Sequence, residues 1–205
     1  MRPGLAHDIL VLSADHLFLV AVSASAAVAI GVPLGIWSAR HPRPRKWTLG
    51  FASVMQTVPS LALFGFLIPV PWIGGIGKRT AIVALVLYAL LPILRNTVAG
   101  ILGVDAAVRE SAVAMGMTEG QILWQVELPL AARTIMAGIR VAVVVTVGSA
   151  TIAAAIGGGG LGEFIFRGIA TVDTTQILAG AIPAAVMALL VDGGLGWVEK
   201  RLARS

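Results

Sequence analysis

The sequence contains no cysteine, which excludes a disulfide framework, a thiolate nucleophile and a cysteine-ligated metal site. Its three histidines, His7, His16 and His41, lie far apart and lack the spacing of metal ligands. Only 12% of the residues are charged, about half the fraction in a typical soluble domain. No Ser/His/Asp set and no pair of carboxylates is recognisable as a catalytic site. We therefore expect a protein that is solvated largely by lipid and is not an enzyme in its own right.

Long apolar segments fill most of the sequence, since 58% of its residues are hydrophobic. A membrane helix needs about 20 mainly apolar residues. Five segments meet this requirement: 17–37, 49–70, 80–102, 129–156 and 176–198. We expect the first to be a retained membrane helix rather than a cleaved signal peptide, because it is too long for a signal sequence. The sequence predicts an all-α membrane protein with about five transmembrane helices in a single domain over residues 1–205.

Basic residues beside these segments predict their orientation, because Lys and Arg are enriched in cytoplasmic loops. One cluster follows the first segment and another follows the fifth: Arg40, Arg43, Arg45 and Lys46, then Lys200, Arg201 and Arg204. With five crossings, the N-terminus is then outside and the C-terminus is cytoplasmic. The loop between the third and fourth segments is cytoplasmic as well. This orientation leaves four basic residues outside: Arg2, Lys78, Arg79 and Arg167. The adjacent Lys78 and Arg79 are an exception to the enrichment of basic residues in cytoplasmic loops.

Polar residues between the third and fourth segments predict two short helices joined by a glycine turn. Asp105 suits the N-cap of a helix over 106–115, and Gly116 suits the left-handed position that ends it. Thr118 and Gln121 match a capping box for a second helix. Pro129 suits the first turn of the next membrane helix. The second helix is expected to expose Ile122, Leu123, Trp124 and Val126. It either lies on lipid headgroups, with Trp124 as an anchor, or docks into a groove on a partner protein.

This loop resembles the cytoplasmic coupling loop of ATP-binding-cassette (ABC) importer permeases. That loop has the form Glu-Ala-Ala, three residues, Gly, nine residues, Ile, one residue, Leu-Pro, and every spacing matches here. The matching residues are Glu110-Ser111-Ala112, Gly116, Val126 and Leu128-Pro129. Ser111 replaces an Ala, and Val126 replaces an Ile. The resemblance implies a type I ABC importer permease fold with a coupling loop at about 105–128.

In that family the loop inserts into the nucleotide-binding subunit. The resemblance therefore assigns coupling to Glu110, Ser111, Ala112, Gly116, Met117, Thr118, Leu128 and Pro129. It also implies two ATPase subunits that bind ATP and Mg, a second permease that is identical or related, and an extracytoplasmic substrate-binding protein. No cofactor or metal is expected in this chain, and no nucleic acid. The expected location is the bacterial cell (inner or plasma) membrane, which the chain crosses several times.

Two further stretches resemble the permeases of osmoprotectant importers: QTVPSLA at 56–62 and GGGGLG at 157–162. Such importers carry glycine betaine, choline, carnitine and related quaternary amines. Methionine-type permeases share the helix number and the coupling loop, so a methionine or amino-acid importer stays an alternative. So does a passive channel or secondary transporter, which would work without an ATPase. The scattered aromatic residues predict no cation–π cage, so the high-affinity site is expected in a separate binding protein.

Polar residues and a proline within the second segment are candidates for the translocation path and its gate. These candidates are Gln56, Thr57, Pro59 and Ser60. Their polar groups either hydrogen-bond neighbouring helices or face a water-filled path, since unpaired polar groups are costly in lipid. Gly157, Gly158, Gly159 and Gly160 form either a flexible linker or a tight external turn. The family resemblance implies a short helix after them, around residues 163–165.

Charged residues and closely spaced glycines also interrupt the apolar segments. Charges are costly in a bilayer, so Arg95, Arg140 and Asp192 either have a functional role or lie near the cytoplasmic ends of their helices. The second interpretation is favoured for Arg95 and Arg140, whose long side chains reach the interface. Gly31 and Gly35 have the spacing that allows two membrane helices to approach closely.

Overall fold

Helices account for every regular element in the computed structural model, which describes residues 5–202 and contains no strand within them. Arg2 and Arg204, used above to predict orientation, lie outside the described residues. The helices are α1 Leu5–Arg40, α2 Pro42–Thr57, α3 Ser60–Leu67, α4 Lys78–Leu102, α5 Ala106–Ala114, α6 Glu119–Ile122, α7 Leu128–Ala153, α8 Gly162–Thr171 and α9 Thr174–Leu202. A π-helical segment, Leu123–Glu127, joins α6 to α7, and a 3-10 turn, Ala154–Ile156, follows α7.

Four helical stretches of the described chain are long and apolar enough to cross a membrane, and the number is five if the bent pair α2–α3 counts as one span. The predicted all-α class with about five spans is therefore confirmed. The third, fourth and fifth predicted segments correspond to α4, α7 with its 3-10 turn, and α9.

The first helix begins at Leu5, well before the predicted start at residue 17. The apolar pattern did not predict residues 5–16 as helix because this segment contains charged and ionisable side chains. Two of them, Asp15 and His16, contact other helices of the bundle. Asp15 forms an ion pair with Lys78 across 2.9 Å. His16 is fully buried, and its Nε2 lies 3.1 Å from the carbonyl oxygen of Val147. Lys78 and Arg79 are the two basic residues that depart from the orientation rule, and Asp15 provides a counter-charge for Lys78.

The second predicted segment is bent at Pro59 and divided into two helices, in agreement with the kink that a proline within it predicts. It begins earlier, at Pro42, and α2 meets α3 at an angle of 105°. Pro59 lacks a backbone donor and disfavours helical geometry at the residue before it. Val58 accordingly takes an extended conformation, with ψ of 128°. The hydroxyl of Tyr88, on α4, donates to the Val58 carbonyl, which ties the bend to the bundle.

Close contacts among α1, α4 and α7 form the centre of the bundle. A Cβ atom on Gly31 would lie 2.8 Å from Ile93 Cγ2, and one on Gly35 would lie 2.6 Å from Thr97 Cβ. The predicted close approach at these two glycines is confirmed, with α4 as the neighbour. On a neighbouring face of α4, a Cβ atom on Gly138 would lie 2.4 Å from Asn96 Cβ. Small residues thus bring both α1 and α7 close to α4.

Candidate coupling loop and membrane path

Helix α5 has the two caps that the sequence predicts. The Asp105 carboxylate accepts a hydrogen bond from the Ala107 N–H across 2.9 Å. At the other end, the Gly116 N–H donates to the Val113 carbonyl and the Met117 N–H donates to the Ala112 carbonyl, which is the Schellman pattern. Gly116 has φ of 81°, a left-handed value that glycine adopts without steric cost. Local hydrogen bonds therefore fix where this helix ends.

The second helix, α6, also begins as predicted. The Thr118 hydroxyl accepts from the Gln121 N–H, and the Gln121 side-chain oxygen accepts from the Thr118 N–H across 2.8 Å, so the capping box is complete. Pro129 stands in the first turn of α7. The expected exposure of four apolar side chains is wrong in part. Trp124 is 71% exposed, but Ile122 is buried, because side chains two residues apart on a helix point in nearly opposite directions.

Six of the eight predicted coupling residues lie on one protrusion made of α5, the Gly116 turn and α6. Glu110, Ser111, Gly116 and Thr118 are exposed, Met117 is half-buried and Ala112 is buried. Large apolar side chains at the same protrusion also face outward: Val108, Val113, Met115 and Trp124. Leu128 and Pro129 begin α7, where the protrusion joins the membrane bundle. Within residues 5–202, Glu110 forms no ion pair, and its side chain is exposed.

A buried carboxylate at the base of the protrusion was missed by sequence reasoning. The side chain of Glu127 is 6% exposed and pairs with Arg40, at 2.8 Å, and with Arg109, at 3.2 Å. Glu119 contacts the same two arginines, at 3.4 and 3.0 Å, but its side chain is 63% exposed. These four residues are called the Glu127 cluster below. The one available signal was a lone acid between Val126 and Leu128.

The candidate path residues all lie at the bend between α2 and α3. Gln56 and Ser60 are half-buried, whereas Thr57 and Pro59 are exposed. The Thr57 hydroxyl donates to the Val54 carbonyl of its own helix across 2.7 Å, so it is not committed to a neighbouring helix. The bend therefore places polar groups on an accessible surface of the bundle.

The glycine run forms a packed turn rather than a plain linker. Gly157, Gly159 and Gly160 have φ values of 73°, 84° and 78°. A Cβ atom on Gly158 would lie 2.7 Å from the Ala153 carbonyl oxygen, and one on Gly160 would lie 2.9 Å from His16 Nδ1. The short helix expected after the run is present as α8. Its position outside the membrane stays a prediction.

Arg140 and Asp192 are paired with each other, a contact that the sequence did not predict. The Arg140 Nε and Nη2 atoms donate to the two Asp192 carboxylate oxygens, each across 2.7 Å. Arg140 Nη1 also donates to Glu199 across 3.2 Å. This bidentate pair joins α7 to α9. Arg95 is exposed, and its Nη2 donates to the Ser53 hydroxyl across 3.2 Å.

Membrane-length helices with a capped protrusion between two of them indicate a multi-pass membrane protein. Over residues 31–204 the chain matches the family described as binding-protein-dependent transport system inner membrane component. The chain belongs to this family. Membership makes it a transport subunit rather than an enzyme, and it implies an ATPase and a substrate-binding protein as partners.

Curated relatives cover most of the chain. It is 48% identical over 188 residues to the carnitine transport permease protein OpuCD of Listeria monocytogenes, covering 91% of this chain and 83% of the relative. It is 48% identical to the glycine betaine/carnitine/choline transport system permease protein OpuCD of Bacillus subtilis, covering 86% and 76%. It is 42% identical to the osmoprotectant import permease protein OsmW of Salmonella typhimurium, covering 93% and 88%.

A solved structure of the MetNI methionine ABC transporter in an inward-facing conformation has the same fold. The TM-score is 0.89 over 98% of this chain and 99% of the solved chain, at 20% sequence identity. The predicted type I ABC importer permease fold is therefore confirmed. Since the identity is low, this similarity shows the fold alone.

Proposed function

We propose that this chain carries compatible solutes of the quaternary-amine class, such as glycine betaine, choline or carnitine, across the bacterial cell membrane. The relatives that support the solute class are named for carnitine, glycine betaine and choline transport and are 40–48% identical to this chain. The methionine alternative has only the fold of MetNI in its favour. Family membership favours an ATP-driven importer over a passive channel or a secondary transporter.

The observation that carries the coupling role is the capped protrusion of α5 and α6. Its hydrogen-bonded caps fix its shape, and it presents Glu110, Ser111 and the apolar side chains around Met115 outward. An exposed apolar patch of this kind is typical of a protein interface. In this proposal the patch docks into an ATPase subunit, which binds ATP and Mg, and Leu128 with Pro129 carries the movement into α7.

The proposed assembly has two permeases, two ATPase subunits and one external binding protein. The second permease is identical or related to this one. The N-terminus is outside and the C-terminus is cytoplasmic, as the basic clusters indicate. The whole of 1–205 acts as one permease domain, and the glycine turn with α8 faces the binding protein. The bend with Gln56, Thr57, Pro59 and Ser60 lines the path or its gate.

Uptake into proteoliposomes that contain the permease, its ATPase and its binding protein tests this function. Labelled glycine betaine, choline, carnitine and methionine are supplied separately, with ATP inside the vesicles. ATP-dependent uptake of at least one quaternary amine, and none of methionine, is the expected result. Uptake of methionine alone would reject the solute class, and solute flux that is independent of ATP would reject the importer.

A further inference from the structure

The Glu127 cluster joins three elements at the base of the protrusion. Glu127 is the last residue of the π-helical segment that leads into α7. Arg40 is the last residue of α1, and Arg109 lies within α5. One carboxylate is thus bonded, through its two oxygens, to the end of α1 and to the first helix of the protrusion.

The π-helical geometry explains why this carboxylate points inward. The Leu128 N–H donates to the Leu123 carbonyl, so the turn holds one residue more than an α-helical turn. An extra residue rotates the side chains that follow it by roughly 100° relative to an uninterrupted helix. Glu127 is 4% exposed as a residue, whereas Trp124 in the same segment stays 71% exposed.

The contacts of Glu127 resist separation more strongly than those of Glu119. A buried carboxylate that loses its cationic partner keeps the cost of its own desolvation, so its contacts are hard to break. Glu119 contacts the same arginines, but its side chain is 63% exposed, and exposed ion pairs contribute little. The buried acid therefore carries the connection, and the exposed acid adds to it.

We propose that Glu127 is a positioning residue that makes α5, the end of α1 and the start of α7 move as one unit when the ATPase moves the protrusion. The proposal rests on the coupling role proposed above. It adds α1 to the elements that receive the movement, and it assigns the connection to ion pairs of a single buried acid. Without them, α5 can shift against the bundle while the ATPase still turns over.

The first test measures solute taken up per ATP hydrolysed in proteoliposomes containing the complete transporter. Arg109→Gln removes the link from α5 but leaves Glu127 paired with Arg40, so no buried charge is orphaned. We expect the ratio to fall about tenfold, within the usual range of coupling between sites, while assembly and ATP hydrolysis persist. Arg109→Lys keeps a cation at this position and is expected to restore part of the ratio.

Arg133→Gln is the matched control. Arg133 is exposed on α7 and has no ion pair within residues 5–202. The same charge is removed there, and the ratio is expected to stay within about twofold of wild type, as for exposed charges. Glu127→Gln removes the negative charge from both ion pairs and is expected to lower the ratio at least as much as Arg109→Gln. Wild-type ratios in Arg109→Gln and Glu127→Gln would overturn the proposal.

A distance measurement separates transmission from a merely structural role. Spin labels are placed on Ala106→Cys, at the start of α5, and His41→Cys, just after α1, because the chain has no cysteine of its own. Both positions are exposed. The label distance is expected to stay constant between nucleotide-free and ATP-trapped transporter and to change in the Glu127→Gln background. A distance that changes in the wild-type background would overturn the proposal.

Failure of this inference is distinguishable from failure of the coupling role. Gly116→Val perturbs the protrusion without touching the ion pairs. If that variant keeps wild-type uptake and ATP hydrolysis, the coupling role itself is rejected. If it loses both while Arg109→Gln and Glu127→Gln keep the wild-type ratio, only the assignment to Glu127 is rejected.

Discussion

Two substitutions that each add one methyl group are expected to change the stability of the bundle in opposite directions. Gly35→Ala places a Cβ atom 2.6 Å from Thr97 Cβ and 2.8 Å from Thr97 Cγ2. Thr97 is fully buried, so α1 and α4 must move apart or Thr97 must leave its rotamer. Overpacking of this kind costs about 1–3 kcal/mol.

Gly148→Ala on α7 is the matched control, since no atom outside its own helix lies within 4 Å of the added Cβ atom. Alanine stabilises a helix interior by about 0.5–1 kcal/mol relative to glycine. The two variants therefore differ in the surroundings of the methyl group and not in its chemistry.

Thermal unfolding of the detergent-purified permease tests both variants, with the folded fraction followed by size-exclusion chromatography after heating. For a chain of this size, 1 kcal/mol shifts the melting temperature by about 2–4 °C. Gly35→Ala is expected to lower it by at least about 2 °C, and Gly148→Ala to raise it by about 1–4 °C. Equal shifts in both variants, or a Gly35→Ala protein as stable as wild type, would refute the contact between α1 and α4 at this glycine.

Three further outcomes are expected. An impermeant thiol reagent added to intact cells should label Trp72→Cys, in the exposed loop beside the glycine turn, but not Arg43→Cys; the reverse pattern would reject the orientation. Changing both Gly158 and Gly159 to Val should reduce solute uptake while the ATPase still co-purifies. The reason is that Gly158 packs on the Ala153 carbonyl and Gly159 has φ of 84°. Unchanged uptake would show that the glycine run has no role in transport beyond connecting two helices. Tyr88→Phe removes the donor to the Val58 carbonyl and should destabilise the permease by about 1–3 kcal/mol. Thermal unfolding measures this loss, and a melting temperature equal to that of wild type would contradict it.

Features that depend on neighbours in sequence could be predicted. The caps at Asp105, Gly116 and Thr118 are hydrogen bonds between residues two to five positions apart, so their residue types and spacing are sufficient. The kink at Pro59 belongs to this group too, because proline acts on the adjacent residue. Its angle of 105° does not, since the Tyr88 contact comes from another helix.

Features that depend on distant partners could not be predicted. Arg140 forms an ion pair with Asp192, 52 residues away in sequence, and Arg40 forms one with Glu127, 87 residues away. A charged residue in an apolar segment shows that some partner is needed but does not say which. The expected exposure of Ile122 together with Trp124 was wrong for a simpler reason, because side chains two residues apart on a helix point in nearly opposite directions.

The central claim is that the protrusion transmits ATP hydrolysis to solute transport, and Gly116→Val in proteoliposomes tests it most directly. Gly116 has φ of 81°, which a β-branched residue does not adopt without strain, yet no atom lies within 4 Å of an added Cβ. The substitution therefore changes the turn between α5 and α6 and not the packing of the bundle. The account predicts that solute uptake and solute-stimulated ATP hydrolysis are lost together, while the permease still inserts and the binding protein still binds its ligand. Wild-type uptake with wild-type stimulation of ATP hydrolysis would contradict it.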